Sequence, residues 1–367
     1  MIAAALHNAP AGGYRDRAMN LQPFRVSNDA LADPAELRRR FEDEGYLFLR
    51  KFQDPDKLRQ LRLDILETLQ RASDWIVPGS KLEEGRVDPA KAVTEGNREY
   101  SEVYAQVQKL RSMHASGHWP EVVDVVAQIV NGPVMPHPMK ITRLWFPQYT
   151  EHTTPFHQDF VHFQSNLEVI SVWTPVGDCP LELGPLAVVE GSHKVGKVVD
   201  HHFSLGAGGQ KVTDPEQRGI PRSSDFEIGD TLIFGCLMVH GALPNLTEDR
   251  LRVSLDNRYQ LDGLPVSENQ LKPHLVDILT WEQVYEDWPE DDPLKYYWKS
   301  SQFDVIAQET RFGETVFAEA LELAEQGDEH ALIALKRAVA NSPNGEAVEK
   351  AQKVLEKIGA LETAPGA

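Results

Sequence analysis

Two side chains in one short segment have the types and the spacing of metal ligands. His157 and Asp159 are separated by a single residue. In a β-strand, residues two apart point to the same side, so the pattern predicts that this imidazole and this carboxylate face one point. A second histidine from elsewhere would complete a facial set of two histidines and one carboxylate, which leaves iron(II) positions open for oxygen chemistry.

The His-x-Asp pair is not specific by itself. The chain has 13 histidines, and in a chain so rich in aspartate about one such pair is expected by chance. The competing interpretation is a hydrogen-bonded histidine beside an acidic residue, without any metal. A third ligand is therefore needed to favour the metal site.

A third candidate ligand and a group of polar residues follow farther along the chain. His240 comes 83 residues after His157 (240 − 157), which leaves room for several strands. Arg250, Arg252 and Ser254 then alternate along a predicted strand, so all three are expected on one face. An arginine inside a barrel needs an anionic partner, because an unpaired buried charge is very costly. The distal carboxylate of 2-oxoglutarate would be such a partner, held by paired hydrogen bonds.

The part of the chain that carries these residues, from about 135 to 262, has the pattern of a β-structure. Short apolar runs are separated by Pro, Gly, Asn and Asp. Several short strands at this spacing favour a barrel or a double-sheet fold. The predicted strands are Lys140–Trp145, Leu167–Pro175, Leu186–Val189, Thr231–Phe234 and Leu251–Leu261.

Helices are predicted before this region. Asp33 as N-cap, proline at the first helical position and a stop at Gly45 indicate one helix, and Tyr46–Leu49 is predicted to be a strand. A second helix is predicted from about Asp54 to about Ser73, because its apolar residues fall on one face. The other predictions here are an exposed loop at 77–98 and short helices near 101–112 and 120–131.

After about residue 263 the chain is predicted to be helical and acidic again. Two closing helices are expected, one from Asp328 and one from Asn344 to Gly359. The aromatic stretch 281–298 is expected to pack against the barrel, with a pocket wall or a dimer contact as alternatives. The loops at 77–98 and 201–219 are candidates for a substrate lid, or plain surface loops.

Composition limits the class of protein. The chain has 367 residues, of which 41% are hydrophobic and 25% charged, and its net charge is −19. This is the composition of a globular protein, and its acidic surface argues against nucleic acid and anionic lipid as partners. No apolar run approaches the roughly 20 residues of a membrane span. Cys179 and Cys236 are expected to be buried, reduced thiols of a cytoplasmic protein.

In their order along the chain, these pieces resemble the phytanoyl-CoA dioxygenase family of iron(II)/2-oxoglutarate oxygenases over about residues 35–262. Each piece is common, but the ordered set is not. The matching segments are Phe41–Leu49, His157-Gln158-Asp159, Gly184-Pro185-Leu186, Gly191-Ser192-His193-Lys194, Gly229-Asp230, His240-Gly241, Pro244-Asn245, and Arg252 ahead of Tyr259.

The resemblance implies a mainly β fold, with a double-stranded β-helix (jelly-roll or cupin-like) core and flanking helices. It also implies that His157, Asp159 and His240 bind iron. Arg252 best matches the arginine that binds 2-oxoglutarate, because its spacing to Tyr259 fits. The further cosubstrate candidates are Arg250 as the alternate arginine, Ser254 as an assisting residue, and Trp173 as a nearby aromatic.

Two departures from the family pattern and one further histidine affect the predicted site. Ala242 stands where a serine often follows the His-Gly pair, which removes one polar contact to the cosubstrate, and Glu190 replaces a proline. Asp159 argues against a halogenase, which needs a small residue at this position. His162 is a candidate substrate contact, although it would point away from the ligands if the strand continued through 160–162.

The expected function is the hydroxylation of an unactivated C–H bond in a small organic molecule. Iron(II), 2-oxoglutarate and O₂ would be the cofactors, and succinate and CO₂ the by-products. Desaturation, cyclisation or epimerisation with the same cofactors is one alternative, and a non-catalytic β-barrel binding or scaffold protein is another. A monomer or homodimer is expected, with a flexible tail at 1–30, an oxygenase domain at 31–300 and a C-terminal helical extension at 301–367.

Overall fold

The computed structural model describes residues 19–274, 278–341 and 345–360. Of the predicted tail at 1–30, positions 1–18 lie outside this part of the chain, and so does Asn344, the predicted start of the last helix. Within residues 19–30, Val26 is bridged to Phe48 of the first strand. Phe24 is buried, with its ring 4.9 Å from the ring of Phe48.

Two sheets of antiparallel strands form the centre of the molecule. Among the described residues, ten strands form these two sheets: β1 (Tyr46–Leu49), β2 (Val134–Pro136), β3 (Ile141–Trp145), β4 (His157–Gln158), β5 (Ile170–Pro175), β6 (Leu186–Glu190), β9 (Ile220–Arg222), β10 (Thr231–Gly235), β11 (Val239–Ala242) and β12 (Arg252–Leu261). Two further pairs lie outside them, the antiparallel pair β7 (His202–Phe203) and β8 (Gln210–Lys211) and the parallel pair β13 (Val266–Ser267) and β14 (Val305–Ile306).

The larger sheet has the strand order β1-β10-β5-β12-β2, with β3 also paired to β12, and the smaller sheet has the order β4-β11-β6-β9. Strands that are neighbours within a sheet are far apart in the chain, as in a jelly roll. The predicted fold class, a double-stranded β-helix with flanking helices, is confirmed.

The alternation of side chains explains why the two sheets pack face to face. In β1, Tyr46 and Phe48 belong to a core that also contains Leu186 and Val188 of the smaller sheet. The intervening residue Leu47 belongs to a different cluster, which includes helical residues. Strand β1 therefore has both faces covered, which is why its four residues are all apolar or aromatic.

The helices flank this double sheet. They are α1 (Pro34–Glu44), α2 (Pro55–Ala72), α3 (Arg98–Gln108), α4 (Arg111–Ser116), α5 (Pro120–Val130), α6 (Phe160–Phe163), α7 (Trp281–Val284), α8 (Arg311–Glu325), α9 (Glu329–Asn341) and α10 (Glu346–Lys357). The carboxylate of Asp33 accepts hydrogen bonds at the start of α1, and Gly45 ends the helix with φ of 82°. Both ends of this helix match the prediction.

The N-terminal helices cover the outside of the larger sheet. Leu37 of α1 and Val126 of α5 are fully buried against Leu47 and neighbouring residues of this face. On another part of the sheet, α2 and α3 pack against Leu144 and Leu255. This packing fixes β5 and β12, the two strands that carry most of the polar interior.

The C-terminal helices α8, α9 and α10 pack on one another and on Phe203 of β7. The sequence predicted the last two of these helices, but α8 was missed. The aromatic stretch 281–298 packs with Ala105 and Met135, as expected for packing against the barrel. Within the described residues, no helix is long and apolar enough to cross a membrane.

Candidate metal and cosubstrate site

The pairing of β4 with β11 brings the two distant histidines together. In this antiparallel ladder His157 lies directly opposite His240. Their Nε2 atoms lie 3.5 Å and 3.6 Å from the same oxygen, Oδ1 of Asp159. Ligand atoms of the three residues all lie within 4.8 Å of one another, and all three residues are buried. The sequence motif and the remote histidine therefore converge on one point.

The route by which Asp159 reaches this point differs from the prediction. The strand β4 ends at Gln158, and Asp159 has helical dihedral angles (φ −57°, ψ −29°) at the start of the short helix α6. The expectation that Asp159 continues the strand was wrong. The turn into α6 nevertheless directs its carboxylate to the two imidazoles.

Hydrogen bonds to the backbone fix the orientation of both imidazoles. Nδ1 of His157 lies 2.8 Å from the carbonyl oxygen of Pro155, and Nδ1 of His240 lies 3.0 Å from that of Met238. A carbonyl can only accept, so each Nδ1 donates, and in the neutral ring the lone pair is on Nε2. This is the usual arrangement of a metal-binding histidine, in which the second ring nitrogen is held by an acceptor.

The second oxygen of Asp159 is held by a serine and an arginine. The hydroxyl of Ser171 donates to Oδ2 at 2.6 Å, and the guanidinium of Arg258 donates to the same oxygen from Nη2 at 3.0 Å and Nε at 3.2 Å. Ser171 of β5 and Arg258 of β12 are direct partners in the ladder of the larger sheet. The carboxylate thus turns Oδ1 toward the histidines.

Burial and neighbouring charges set the protonation of these groups. Burial alone would raise the pKa of Asp159, but Arg258 and the two histidines outweigh it and hold that pKa well below its usual value. Burial, with a contribution from His157, lowers the pKa of His240 to about 4. At neutral pH the cluster therefore offers one carboxylate and neutral imidazole, which is the donor set for a divalent metal.

An enclosed cavity next to the three residues contains a second feature of interest, the guanidinium of Arg252. The side chain is buried, and its Nη1 donates to the carbonyl oxygen of Gly184 at 2.6 Å. Its Nε has no hydrogen-bond partner among the described residues. The other residues lining this cavity include Arg143, Thr154, Val172, Trp173, Leu186, Phe234, Asp256 and Arg258.

Arg252 is a buried cation without a counterion in the described part of the chain. No described carboxylate lies within 4.0 Å of it, and the rings of Trp145 and Trp173 lie 5.4 Å and 5.9 Å from its central carbon. Burial lowers its pKa to about 10, so the group is still charged at neutral pH. A buried unpaired charge is costly, and a ligand carboxylate would compensate it. The residues present therefore fit an anionic cosubstrate beside a metal.

The structure places the two arginines that were candidates for binding 2-oxoglutarate in different positions. Arg252 lines the cavity, whereas Arg250 lies before β12, forms an isolated bridge with Arg86 and does not line the cavity. Trp173 also lines the cavity. Ser254 is fully buried and its hydroxyl has no partner among the described residues.

His162 lies close to the predicted ligands. Residues 160–163 form helix α6, so the expectation of a continued strand pointing His162 away was wrong. Its ring lies 5.3 Å from the ring of His157. Burial lowers the pKa of His162 well below its usual value, so the ring is neutral at neutral pH.

The sequence-based prediction missed several polar residues of this interior. Arg258 and Asp256 belong to β12 and continue the alternation that begins with Arg252 and Ser254. Asp256 accepts a hydrogen bond from Nε of Arg143 at 3.0 Å. The sequence did contain this signal, because a strand whose every second residue is polar over seven positions, 252–258, predicts one continuous polar face.

Comparisons with known proteins agree with this geometry. The family model for phytanoyl-CoA dioxygenase (PhyH) matches residues 41–253. A 1-deoxypentalenic acid 11-beta-hydroxylase from Streptomyces arenae is 28% identical over 256 residues, which cover 66% of this chain and 87% of the relative. A probable phytanoyl-CoA dioxygenase from Caenorhabditis elegans is 26% identical over 249 residues, covering 63% of this chain and 76% of that protein.

Among solved structures, the epimerase SnoN from nogalamycin biosynthesis matches with a TM-score of 0.45 and 17% identity, over 63% of this chain and 84% of that one. The family model spans more than half of the chain and contains all three clustered residues. The chain belongs to the phytanoyl-CoA dioxygenase family and is an oxygenase enzyme with iron(II), 2-oxoglutarate and O₂ as its cofactors.

Proposed function

We propose that this protein is a dioxygenase that hydroxylates an unactivated C–H bond of a small organic molecule, with His157, Asp159 and His240 as its iron ligands. One observation carries the proposal: three metal-binding side chains converge beside Arg252, a buried cation without a described counterion. A hydroxylase among the relatives supports hydroxylation over the other outcomes that these cofactors permit.

Iron(II) with 2-oxoglutarate and O₂ supplies the oxidising power for the C–H bond, releasing succinate and CO₂. The protein's part is to hold and orient the reactants. His157 and His240 present Nε2 because their Nδ1 atoms are fixed by carbonyls. Asp159 contributes Oδ1 alone, because Oδ2 already accepts three hydrogen bonds. One oxygen from this carboxylate leaves room for the other reactants on the metal.

Arg252 binds the distal carboxylate of 2-oxoglutarate. Its planar guanidinium suits a carboxylate, and the burial of the site strengthens the interaction. Trp173, Leu186 and Phe234 contribute apolar side chains to the lining of the same cavity. A water-poor site protects the oxidising chemistry from side reactions.

The test is the weak visible charge-transfer band that forms when 2-oxoglutarate chelates iron(II). The anaerobic protein is mixed with iron(II) and 2-oxoglutarate, and the expected result is a band in the wild type that is lost in His157→Ala. The matched control is His330→Ala, because His330 lies on α9 and outside the described metal cluster. Absence of the band in the wild type would favour a non-catalytic binding protein.

Succinate release distinguishes an active enzyme from a protein that only binds the cofactors. With O₂ admitted, slow conversion of 2-oxoglutarate to succinate is expected in the wild type and not in His157→Ala. Mass spectrometry of a stimulating substrate then distinguishes hydroxylation, which adds one oxygen atom, from desaturation and cyclisation, which both remove two hydrogen atoms. An unchanged mass would indicate epimerisation.

A further inference from the structure

A second cavity lies beside the metal site and has no role in binding iron or 2-oxoglutarate. Its volume is about 360 Å³, which is within the range for pockets that enclose small-molecule ligands. The walls come from the segment 94–96, the start of α3, the loop 205–208 and one residue of α9, Arg337. The loops at 77–98 and 201–219, which the sequence singled out as lid candidates, thus each contribute to one wall.

Two contacts connect this cavity to the metal site. Arg143 lines the cavity around the metal ligands, and its Nη1 donates at 2.7 Å to Glu95, which lines the second cavity. On another side, Gly208 of the second cavity lies against the ring of His162, which in turn lies beside His157. A molecule in the second cavity is therefore separated from His157 by the ring of His162, and from the first cavity by the Glu95–Arg143 pair.

Arg337 brings a positive charge to this cavity from the C-terminal helices. Its Nη1 and Nη2 lie 2.9 Å and 2.7 Å from the two ring nitrogens of His152, and Nη2 lies 3.5 Å from the hydroxyl of Tyr149. Burial, with a contribution from Arg337, lowers the pKa of His152 to about 3, so the ring is neutral at neutral pH. A neutral imidazole has one acceptor nitrogen, so the ring satisfies only one of the five guanidinium donors.

Arg337 is partly exposed. Among the side chains that the structure describes, which do not include that of Glu151, no carboxylate forms an ion pair with its guanidinium. Glu95 lines the same cavity, but its carboxylate is engaged by Arg143 and lies 3.6 Å from His274. The acidic group in this cavity, Glu95, is therefore already paired, whereas Arg337 has no ion-pair partner among the described side chains. This charge balance favours an anionic ligand.

We propose that Arg337 binds a carboxylate of the organic substrate in this second cavity, so that the substrate class is small organic monocarboxylic acids. This inference rests on the proposed function. A single guanidinium matches a single carboxylate through paired hydrogen bonds. A nucleotide thioester would bring several phosphates, and the described residues that line this cavity include one arginine and no lysine to receive them.

The experiment measures binding to the anaerobic protein already loaded with iron(II) and saturating 2-oxoglutarate, so that Arg252 is occupied. The probes are linear and cyclic monocarboxylic acids, each paired with its primary amide, which has the same shape without the charge. The expected result is that at least one acid binds about tenfold or more tightly than its amide, as one charge-assisted pair permits.

Three variants test whether Arg337 is the source of the preference for acid over amide. Arg337→Ala is expected to reduce the preference for acid over amide to below threefold, and Arg337→Lys to retain part of it because the charge remains. Lys336→Ala is the matched control, since Lys336 is the exposed neighbour on the same helix and does not line the cavity. It is expected to leave the preference unchanged. Thermal unfolding of each variant verifies that it is folded, and Arg337→Lys serves as the main variant if Arg337→Ala is not.

Two results would overturn the inference while the proposed function stands. In one, the charge-transfer band forms but no acid is preferred to its amide. In the other, the preference is the same in wild type, Arg337→Ala and Arg337→Lys. Failure of the band in the wild type is a different result, which contradicts the proposed function itself.

Discussion

Arg258 places its Nη2 atom 3.0 Å from Oδ2 of Asp159, so a buried guanidinium holds the carboxylate that faces the two histidines. The same guanidinium lies over the ring of Phe163, 3.4 Å from its centre. Arg258 is thereby fixed from two sides. In the proposed site it is a positioning residue, because it contacts the proposed ligand Asp159 rather than the metal position itself.

We expect Arg258→Gln to weaken iron(II) binding by about 10- to 100-fold, the usual cost of losing a residue that orients a metal ligand. The physical reason is that Oδ2 loses two of its three hydrogen bonds, so the carboxylate is free to rotate. Anaerobic titration with iron(II) measures the affinity. Arg59→Ala is the control, because Arg59 is exposed on α2 and pairs only with the neighbouring Asp56. Equal affinities in wild type and Arg258→Gln would remove the positioning role.

Substitutions of the two arginines near the start of β12 should differ sharply in their effect on the affinity for 2-oxoglutarate. Arg252→Gln is expected to raise the dissociation constant about 30-fold or more, since breaking a buried charged pair costs about 2 kcal/mol or more. Arg250→Gln is expected to change it less than threefold, because Arg250 does not line the cavity. The charge-transfer band, titrated with 2-oxoglutarate, reports both values. If Arg250→Gln weakened 2-oxoglutarate binding more than Arg252→Gln did, Arg250 would be the residue that binds the cosubstrate.

Gly184 is expected to be intolerant of any side chain. Its φ is +77°, and a Cβ atom there would lie 2.4 Å from the carbonyl oxygen of Leu243. Gly184→Ala should destabilise the protein by about 1–3 kcal/mol through this overlap, in addition to the backbone strain. Because the carbonyl of Gly184 accepts from Arg252, 2-oxoglutarate affinity should also fall.

Gly191→Ala is the matched control for this variant. Gly191 has a similar φ of +83°, but a Cβ atom there would meet nothing within 4 Å. The alanine at position 191 is therefore expected to cost about 1–2 kcal/mol of backbone strain, without any overlap. Denaturant unfolding compares the two variants, and equal losses of stability would show that the contact with Leu243 is unimportant.

Stability should fall in mild acid because of buried neutral histidine. Burial lowers the pKa of His114 to about 4, and its Nε2 lies 2.8 Å from the carbonyl oxygen of Gln108. Between pH 4 and about 6.5 the unfolded chain binds a proton at this residue that the folded chain does not. The contribution of neutral His114 to the free energy of unfolding is therefore complete above about pH 6.5 and is lost as the pH falls toward 4.

This effect can be isolated with His114→Gln, which keeps a hydrogen-bond donor but does not titrate. The free energy of unfolding of the wild type is expected to fall more steeply than that of the variant, by up to about 1.4 kcal/mol per pH unit over this range. Denaturant titrations at several pH values provide the comparison. Parallel curves for the two proteins would mean that His114 is protonated in the folded state as well.

Much of the metal cluster could be predicted from sequence because its residues lie in recognisable local patterns. His157 and Asp159 form a motif, and His240 follows a buried strand at a distance compatible with a β-barrel. Arg258 could also have been predicted, since it continues the alternation of Arg252. The turn at Asp159 could not be predicted, because the segment 155–160 is compatible with a longer strand or with a strand followed by a helix.

Helix α8 and the contact of Arg337 with His152 were not predicted, for different reasons. Helix α8 buries Val316, Ala320 and Ala324. This helix did have a local signal that was overlooked, since these residues repeat every four positions and Phe317 and Leu321 extend the apolar face. Arg337 meets His152 only because the C-terminal helices fold back onto the barrel. The sequence distance between these two residues exceeds any spacing from which a contact could be predicted.

The distribution of charge has a consequence for how the cosubstrate arrives. The chain has a net charge of −19, yet Arg252 and Arg258 are buried in its interior. A dianion such as 2-oxoglutarate is repelled by the exterior at long range and attracted only after it enters the cavity. Dissolved ions screen charges separated by more than about 10 Å at 0.1 M salt, so they relieve the repulsion and leave the attraction nearly intact. Moderate ionic strength should therefore hasten diffusional entry of the cosubstrate.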